Sequence, residues 1–191
     1  MNDRRDSMTD RILASRAKIP HGADQNKTAA EEGGCGVTGF ITSIPVRGRH
    51  IYEPSIQMHN RGNGKGGGIA AVGLSAESLG VTQDILDSHY MLQMALLDPA
   101  ARPEVEAANI APFMEVHKAE RLPTVDDYRD IEGLEVKPPD VWRYFVRVKK
   151  GVLARFIDDN RLQDLDPRKA EDEFIYQNST RINQAFYASL G

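Results

Sequence analysis

The order of apolar and polar segments predicts a layered α/β or α+β domain. Three observations carry this expectation. Strand-like and helix-like runs alternate along the chain, no internal repeat interrupts them, and 40% of the 191 residues are apolar, enough for a real core. This length accommodates one sizeable domain, or one domain with a tail.

Residues 1–34 stand apart from the rest of the chain. They alternate charged and small residues, and only Ile12 to Ala17 offers a helical turn. A disordered leader is the expectation, and the absence of an apolar central stretch excludes a secretory signal. The pattern changes at Cys35–Ile44 (CGVTGFITSI), where Val37, Phe40, Ile41 and Ile44, with β-branched Thr38 and Thr42, suit a buried strand. Ile51 to Asn60 reads as a short helix with Ile51, Ile56 and Met58 as its apolar contacts. The glycine-dense RGNGKGGG loop comes next, then a second short strand, IAAVGL (Ile69–Leu74).

Beyond Ser75, His89–Leu97 fits strand or helix equally, Asp98-Pro99 closes it, and Ala100 to Ala108 reads as a helix. Phe113–Leu122 is expected to be a strand with Met114, Val116 and Leu122 on one side. Val141–Val148 (VWRYFVRV) is rich in β-formers, with Trp142 in the core and Arg143 and Arg147 on the opposite side. Leu153–Leu162 and Arg168–Asn183 read as helices, Pro167 suiting the first turn of the second. Asp158-Asp159 and Glu171-Asp172-Glu173 read as solvated helix faces, and AFYASL (Ala185–Leu190) as a strand just begun.

The balance of charge bounds the function. A net charge of −4 without a basic stripe argues against nucleic-acid binding. No apolar run approaches the roughly 18 to 20 residues of a membrane span, and a soluble, cytoplasmic protein is expected. The single cysteine excludes an internal disulfide and a multi-cysteine zinc site. His21, His50, His59, His89 and His117 show no i, i+4 pairing and no carboxylate at metal-ligand spacing, so neither a metal nor a cofactor is expected.

A lone cysteine is more often a small buried hydrophobe than a reagent. Cys35, however, heads a strand-like run after two glycines and a dispensable-looking leader. Cleavage between Gly34 and Cys35 gives it a free α-amino group of pKa near about 8, able to accept the thiol proton as an N-terminal threonine's amine does. Gly62, Gly64 and Gly67 satisfy G-x-G-x-x-G, but polar residues precede the loop and a strand-like run comes after it, the reverse of a dinucleotide site. Lys65 is followed by Gly66, not Ser or Thr, so a Walker-type loop fails too. A tight turn requiring positive φ is the better reading.

CGVTGFI at Cys35–Ile41, with HNRGNGKGGGIAAVGL downstream at His59–Leu74, resembles the class II, N-terminal-nucleophile glutamine amidotransferases. More narrowly, the Arg-Gly-Asn-Gly form of the loop is similar to that of free-standing amidotransferase subunits related to the glutaminase part of glutamate synthase. WRYFV at Trp142–Val146 and Glu171 to Gly191 look like parts of the α/β insertion and return strand of that group. The resemblance implies an α+β fold, a four-layer αββα sandwich carrying an α/β insertion, with residues 1–34 as leader and 35–191 as the first part of the amidotransferase domain. It implies that Cys35 attacks the side-chain amide of glutamine, and that ammonia passes to a synthase partner, a flavin-containing subunit in the glutamate-synthase group. Arg61 and Gly62 then belong to a turn beside the nucleophile. The family's glutamine-carboxylate clamp (an Arg-Trp-x-Thr block) and its Asn-Gly oxyanion pair do not occur here, so the domain is expected to be incomplete at the C-terminus and the chain inactive alone.

Overall fold

The structure, a computed structural model, describes residues 7–20, 36–58, 61, 68–131 and 137–190, with 186–190 described by backbone alone. In chain order the helices are α1 (Met8–Arg16), α2 (Tyr52–Gln57), α3 (Gln83–Ser88), α4 (Arg102–Val105), α5 (Lys150–Asp159) and α6 (Pro167–Leu190). The strands are β1 (Tyr90–Leu96), β2 (Met114–Arg121) and β3 (Asp140–Val148). The fold class is α+β: helices with a small antiparallel sheet. The chain divides into two compact units, the first Met1–Gln25, Ser75–Asp126 and Lys137–Gly191, the second Asn26–Leu74 and Asp127–Val136.

In the first unit the sheet order is β1-β3-β2, so the last strand in sequence is the central one. VWRYFVRV takes that place because it can be buried on both faces. Phe145 and Val146 point to opposite faces, and both are fully buried. β1 pairs antiparallel from Tyr90↔Val146 to Leu96↔Asp140, and β2 from Met114↔Val148 to Arg121↔Trp142. A bulge between Val116 and Lys118 leaves His117 out of the β2 register, and Val116, on the same side as Met114, is 44% exposed.

One face of the sheet carries Met94, Leu96, Met114, Tyr144, Val146 and Val148 into a cluster with Val105, Ile110, Phe156, Leu162 and Phe174. Phe174 meets Phe113 and Phe156 edge-on at 5.9 and 5.3 Å. A π-helical turn, Glu106–Ile110, continues α4 into this core. On the opposite side of the sheet Lys118 Nζ donates to the carbonyls of Leu79 (2.9 Å) and Gly80 (3.2 Å). Gly80 holds φ +62° there, ending the 3₁₀ turn Glu77–Leu79.

Three expectations for this unit need correction. The segment read as a disordered leader carries α1, closed by a capping box in which Ser7 and Asp10 bond each other's backbone. AFYASL is helical: no Gly or Pro interrupts residues 168–190, and Ala185, Ala188 and Leu190 are strong helix formers, so α6 runs on. Glu171 and Glu173 are not solvated; they are 1% and 7% exposed. α6 buries positions 170, 171, 173, 174, 177 and 178, a regular helical stripe, but four of the six are Glu, Gln or Asn.

The second unit holds the 3₁₀ turn Gly48–Ile51, α2, and the 3₁₀ turn Tyr128–Asp130. The helix expected over Ile51 to Asn60 is α2. The strands expected at Cys35–Ile44 and Ile69–Leu74 are not formed over their described residues, 36–44 and 69–74. No strand is available among the unit's described residues to complete their backbone hydrogen bonds. Their apolar side chains are exposed, Ile41 and Val72 each at 97%, and no described residue of the unit is buried.

Candidate functional site

Cys35 and Gly62 lie outside the described residues, as do Gly64, Lys65, Gly67, His21 and His59. Arg61 lies within them and is exposed. Its position is set by α2. The helix's last turn runs on through Met58, whose N–H donates to the Ser55 carbonyl at 3.0 Å, and the Arg61 N–H donates to the Met58 carbonyl at 3.0 Å. The backbone of Gly36, the residue after Cys35, lies against this turn. A Cβ at Gly36 would stand 2.7 Å from Met58 Cβ, 2.8 Å from the Met58 carbonyl oxygen and 3.2 Å from Arg61 Cβ. Two of these distances are below any real Cβ contact, and one of them is to backbone, so only glycine fits. The turn bearing Arg61 and the segment bearing Gly36 are therefore neighbours in space, though far apart in sequence.

The first unit concentrates titratable groups in three clusters. In the first, the Glu171 carboxylate takes Arg147 Nε and Nη2 at 2.8 Å each and the Val148 N–H at 2.9 Å, tying α6 to the end of β3. In the second, Tyr144 donates to Glu106 at 2.7 Å while Arg102 donates to the same oxygen through Nε at 2.9 Å and holds its Cζ 3.3 Å from the Trp142 ring centroid. Burial, and after it the bond to Glu106, pushes the Tyr144 hydroxyl up to about 12. In the third, the rings of His89 and His117 stand 5.3 Å apart, and His89 Nδ1 shares a 2.9 Å contact with Ser88 Oγ. Burial and then the neighbouring His117 lower the His89 pKa.

The first two clusters are closed. Each carboxylate in them is occupied by an arginine and a second donor, which is the arrangement of a structural tie. Among the described residues no three His, Cys, Asp or Glu side chains gather as a metal site, and no helix is long and apolar enough to cross a membrane.

A fourth set of contacts joins α1 to α6, and sequence reading missed every member. Arg16 forks onto Glu173 (Nε to Oε1 2.7 Å, Nη2 to Oε2 2.6 Å) and lies 4.5 Å over the Tyr176 ring. Gln177 Nε2 donates to Ser15 Oγ at 2.7 Å and to Glu173 Oε1 at 3.0 Å. The only trace in the sequence is the i, i+4 spacing of Glu173 and Gln177, which reads equally well as a wet helix face. The partner that buries them is more than 150 residues away.

No family model matches the chain, and no solved structure matches it. It is similar to an uncharacterized protein of Archaeoglobus fulgidus, 32% identical over 164 residues, covering 82% of this chain and 37% of that protein. The chain thus spans little more than a third of that relative's length.

Proposed function

We propose that the chain is the first part of a class II glutamine amidotransferase domain of the glutamate-synthase-related kind, with Cys35 as nucleophile and the four-layer αββα sandwich as the fold its full domain adopts. The observation that supports this reading most is the close approach of Gly36 to the Met58–Arg61 turn. A nucleophile with its own amine as base needs the segment behind it held against a fixed turn, and Gly36 and Arg61, one residue from each motif, stand on the two sides of such a contact.

In the proposed reaction the α-amino group of Cys35, freed by cleavage after Gly34, takes the thiol proton. The sulfur attacks the side-chain amide carbon of glutamine, the C–N bond breaks, and the amine returns the proton to the departing nitrogen. Ammonia leaves for a synthase partner, flavin-containing in this reading. Water then cleaves the thioester to glutamate and restores the thiol. Arg61 and Gly62 shape the turn beside the nucleophile and take no proton.

The exposed apolar segments of the second unit favour one other reading, a non-catalytic subunit that docks onto a synthase. One experiment separates the two. Separate samples of the protein carrying the complete domain are treated with 6-diazo-5-oxo-norleucine or with 2-cyanobenzothiazole, which condenses only with an N-terminal cysteine that keeps its free thiol, and intact masses are recorded. The amidotransferase reading expects one adduct from each reagent on a chain beginning at Cys35, both absent in Cys35→Ala. A chain that keeps Met1 and takes neither label overturns it in favour of the docking subunit.

A further inference from the structure

We infer that α1 is a permanent part of the first unit, and that cutting the chain between Pro20 and Cys35 yields a two-chain protein and not a shortened one. The inference rests on the proposed function only for where and why the natural cut occurs. The binding of α1 stands on contacts of its own.

Those contacts are of two kinds. Met8, Ile12, Ser15 and Ile19 recur at helical spacing. Met8 and Ile12 pack against the main core, and Ser15 and Ile19 are buried. Around this stripe lie charged and polar anchors. Arg16 forks onto Glu173, Ser15 accepts from Gln177, Lys18 Nζ donates to Asn160 Oδ1 at 2.8 Å, and Arg11 donates to the Arg161 carbonyl. The anchors thus span α6 and the turn at the end of α5. Gln177 is 1% exposed and Glu173 7% exposed, and α1 supplies their partners from outside α6. Departure of α1 strips Glu173 of the Arg16 cation and Gln177 of its hydroxyl acceptor, together with the apolar cover from Met8, Ile12 and Ile19. Leaving therefore costs the Arg16 fork, the Ser15 bond and the apolar cover together, and on these contacts the segment is expected to dissociate slowly and to need no peptide bond to Cys35 to stay in place. In the proposed reading, the leader of the nucleophile is then also a structural element of the first unit.

The test uses the full chain with a tobacco etch virus protease site substituted within residues 22–31. After cutting, the protein is passed over a size-exclusion column and each peak is weighed by mass spectrometry. Both fragments are expected in one peak, with the N-terminal fragment released in 6 M guanidinium chloride. In Arg16→Ala the cut fragment is expected to leave at least tenfold faster, and in Arg16→Lys, which keeps the charge but loses the fork, at an intermediate rate. Separation of the fragments in the unsubstituted protein overturns the inference. Equal retention in all three proteins overturns Arg16 as the anchor. Absence of natural cleavage after Gly34 counts against the amidotransferase maturation alone and leaves the column result to judge α1.

Discussion

Val141–Val148 and Cys35–Ile44 are both dense in β-branched and aromatic residues, and both read as buried strands from sequence. The first becomes β3, flanked by β1 and β2, with Phe145 and Val146 wholly removed from water. The described part of the second forms no strand and leaves Val37, Phe40, Ile41 and Ile44 exposed. Composition does not separate them; partners do. A strand needs neighbours for its backbone groups as well as a surface for its side chains, and the first unit supplies both. The second unit's described residues supply neither, which is why apolar content there produces exposed surface and no core.

The largest effect that can break this contrast comes from one aromatic residue on each side of it. Phe145→Ala is expected to cost about 3–5 kcal/mol, the usual range for emptying a buried aromatic site. Phe40→Ala, half exposed in the second unit, is expected to stay within about 0.5 kcal/mol. Urea melts monitored by circular dichroism give both numbers, and equal losses would mean that the second unit has a core.

Next in size is the tie between α6 and the sheet. Arg147→Ala leaves the Glu171 carboxylate, 1% exposed, with only the Val148 N–H and a distant Arg168 at 3.7 Å. A loss of about 3 kcal/mol is expected, since breaking a buried pair from one side costs more than the pair contributes. Arg147→Ala combined with Glu171→Gln should recover part of it, because no unpaired charge remains buried. If the double variant is as unstable as the single one, the cost comes from lost packing of the arginine stem instead.

How much of the fold was legible in the sequence depended on whether burial was apolar. β3, β2, the helices at α5 and α6, and α2 all carry visible propensity or periodicity. α1 and the inner face of α6 do not. Ser15, Arg16, Glu171, Glu173, Gln177 and Asn178 are buried or half-buried through hydrogen bonds and ion pairs, which no hydrophobic pattern marks. The end of α6 failed differently: AFYASL has strand-like aromatics, but a helix already running from Pro167 extends at little cost, where a new strand needs a partner. At the candidate site the Cys-Gly and Arg-Gly motifs were visible. The approach of Gly36 to Met58 and Arg61 was not, because nothing local in a glycine says which backbone will approach it.

A smaller effect in the first unit depends on pH. Burial alone raises the pKa of Glu173, but the bonds from Arg16 and Gln177 outweigh it and hold the carboxyl below its ordinary value of 4.5. A carboxyl held low when folded contributes stability above its ordinary pKa and loses it as pH falls through the folded value. The urea midpoint of the first unit should therefore be flat from about pH 7 to 5 for this group and decline below about 4.5. Glu173→Gln should flatten the part of that decline that α1 carries. A decline identical in slope with and without Glu173 would place the acid sensitivity elsewhere than in the contact between α1 and α6.

The smallest expected change in stability is also the sharpest test of the second unit. Ile41 and Val72 are each 97% exposed, so Ile41→Ser and Val72→Ser remove apolar area that water already covers in the folded chain. Their unfolding free energies should match the parent within about 0.5 kcal/mol. What should change is association. Extended, β-branched segments with unpaired backbone groups are templates for pairing with another chain, and a single polar substitution in each interrupts them. Light scattering on warming a concentrated sample should begin later in the double variant than in the parent, at unchanged circular dichroism. A loss of more than about 1 kcal/mol would show that these side chains are packed against something in the free protein. The second unit would then be held by apolar burial like the first, and the difference between the units would be one of degree.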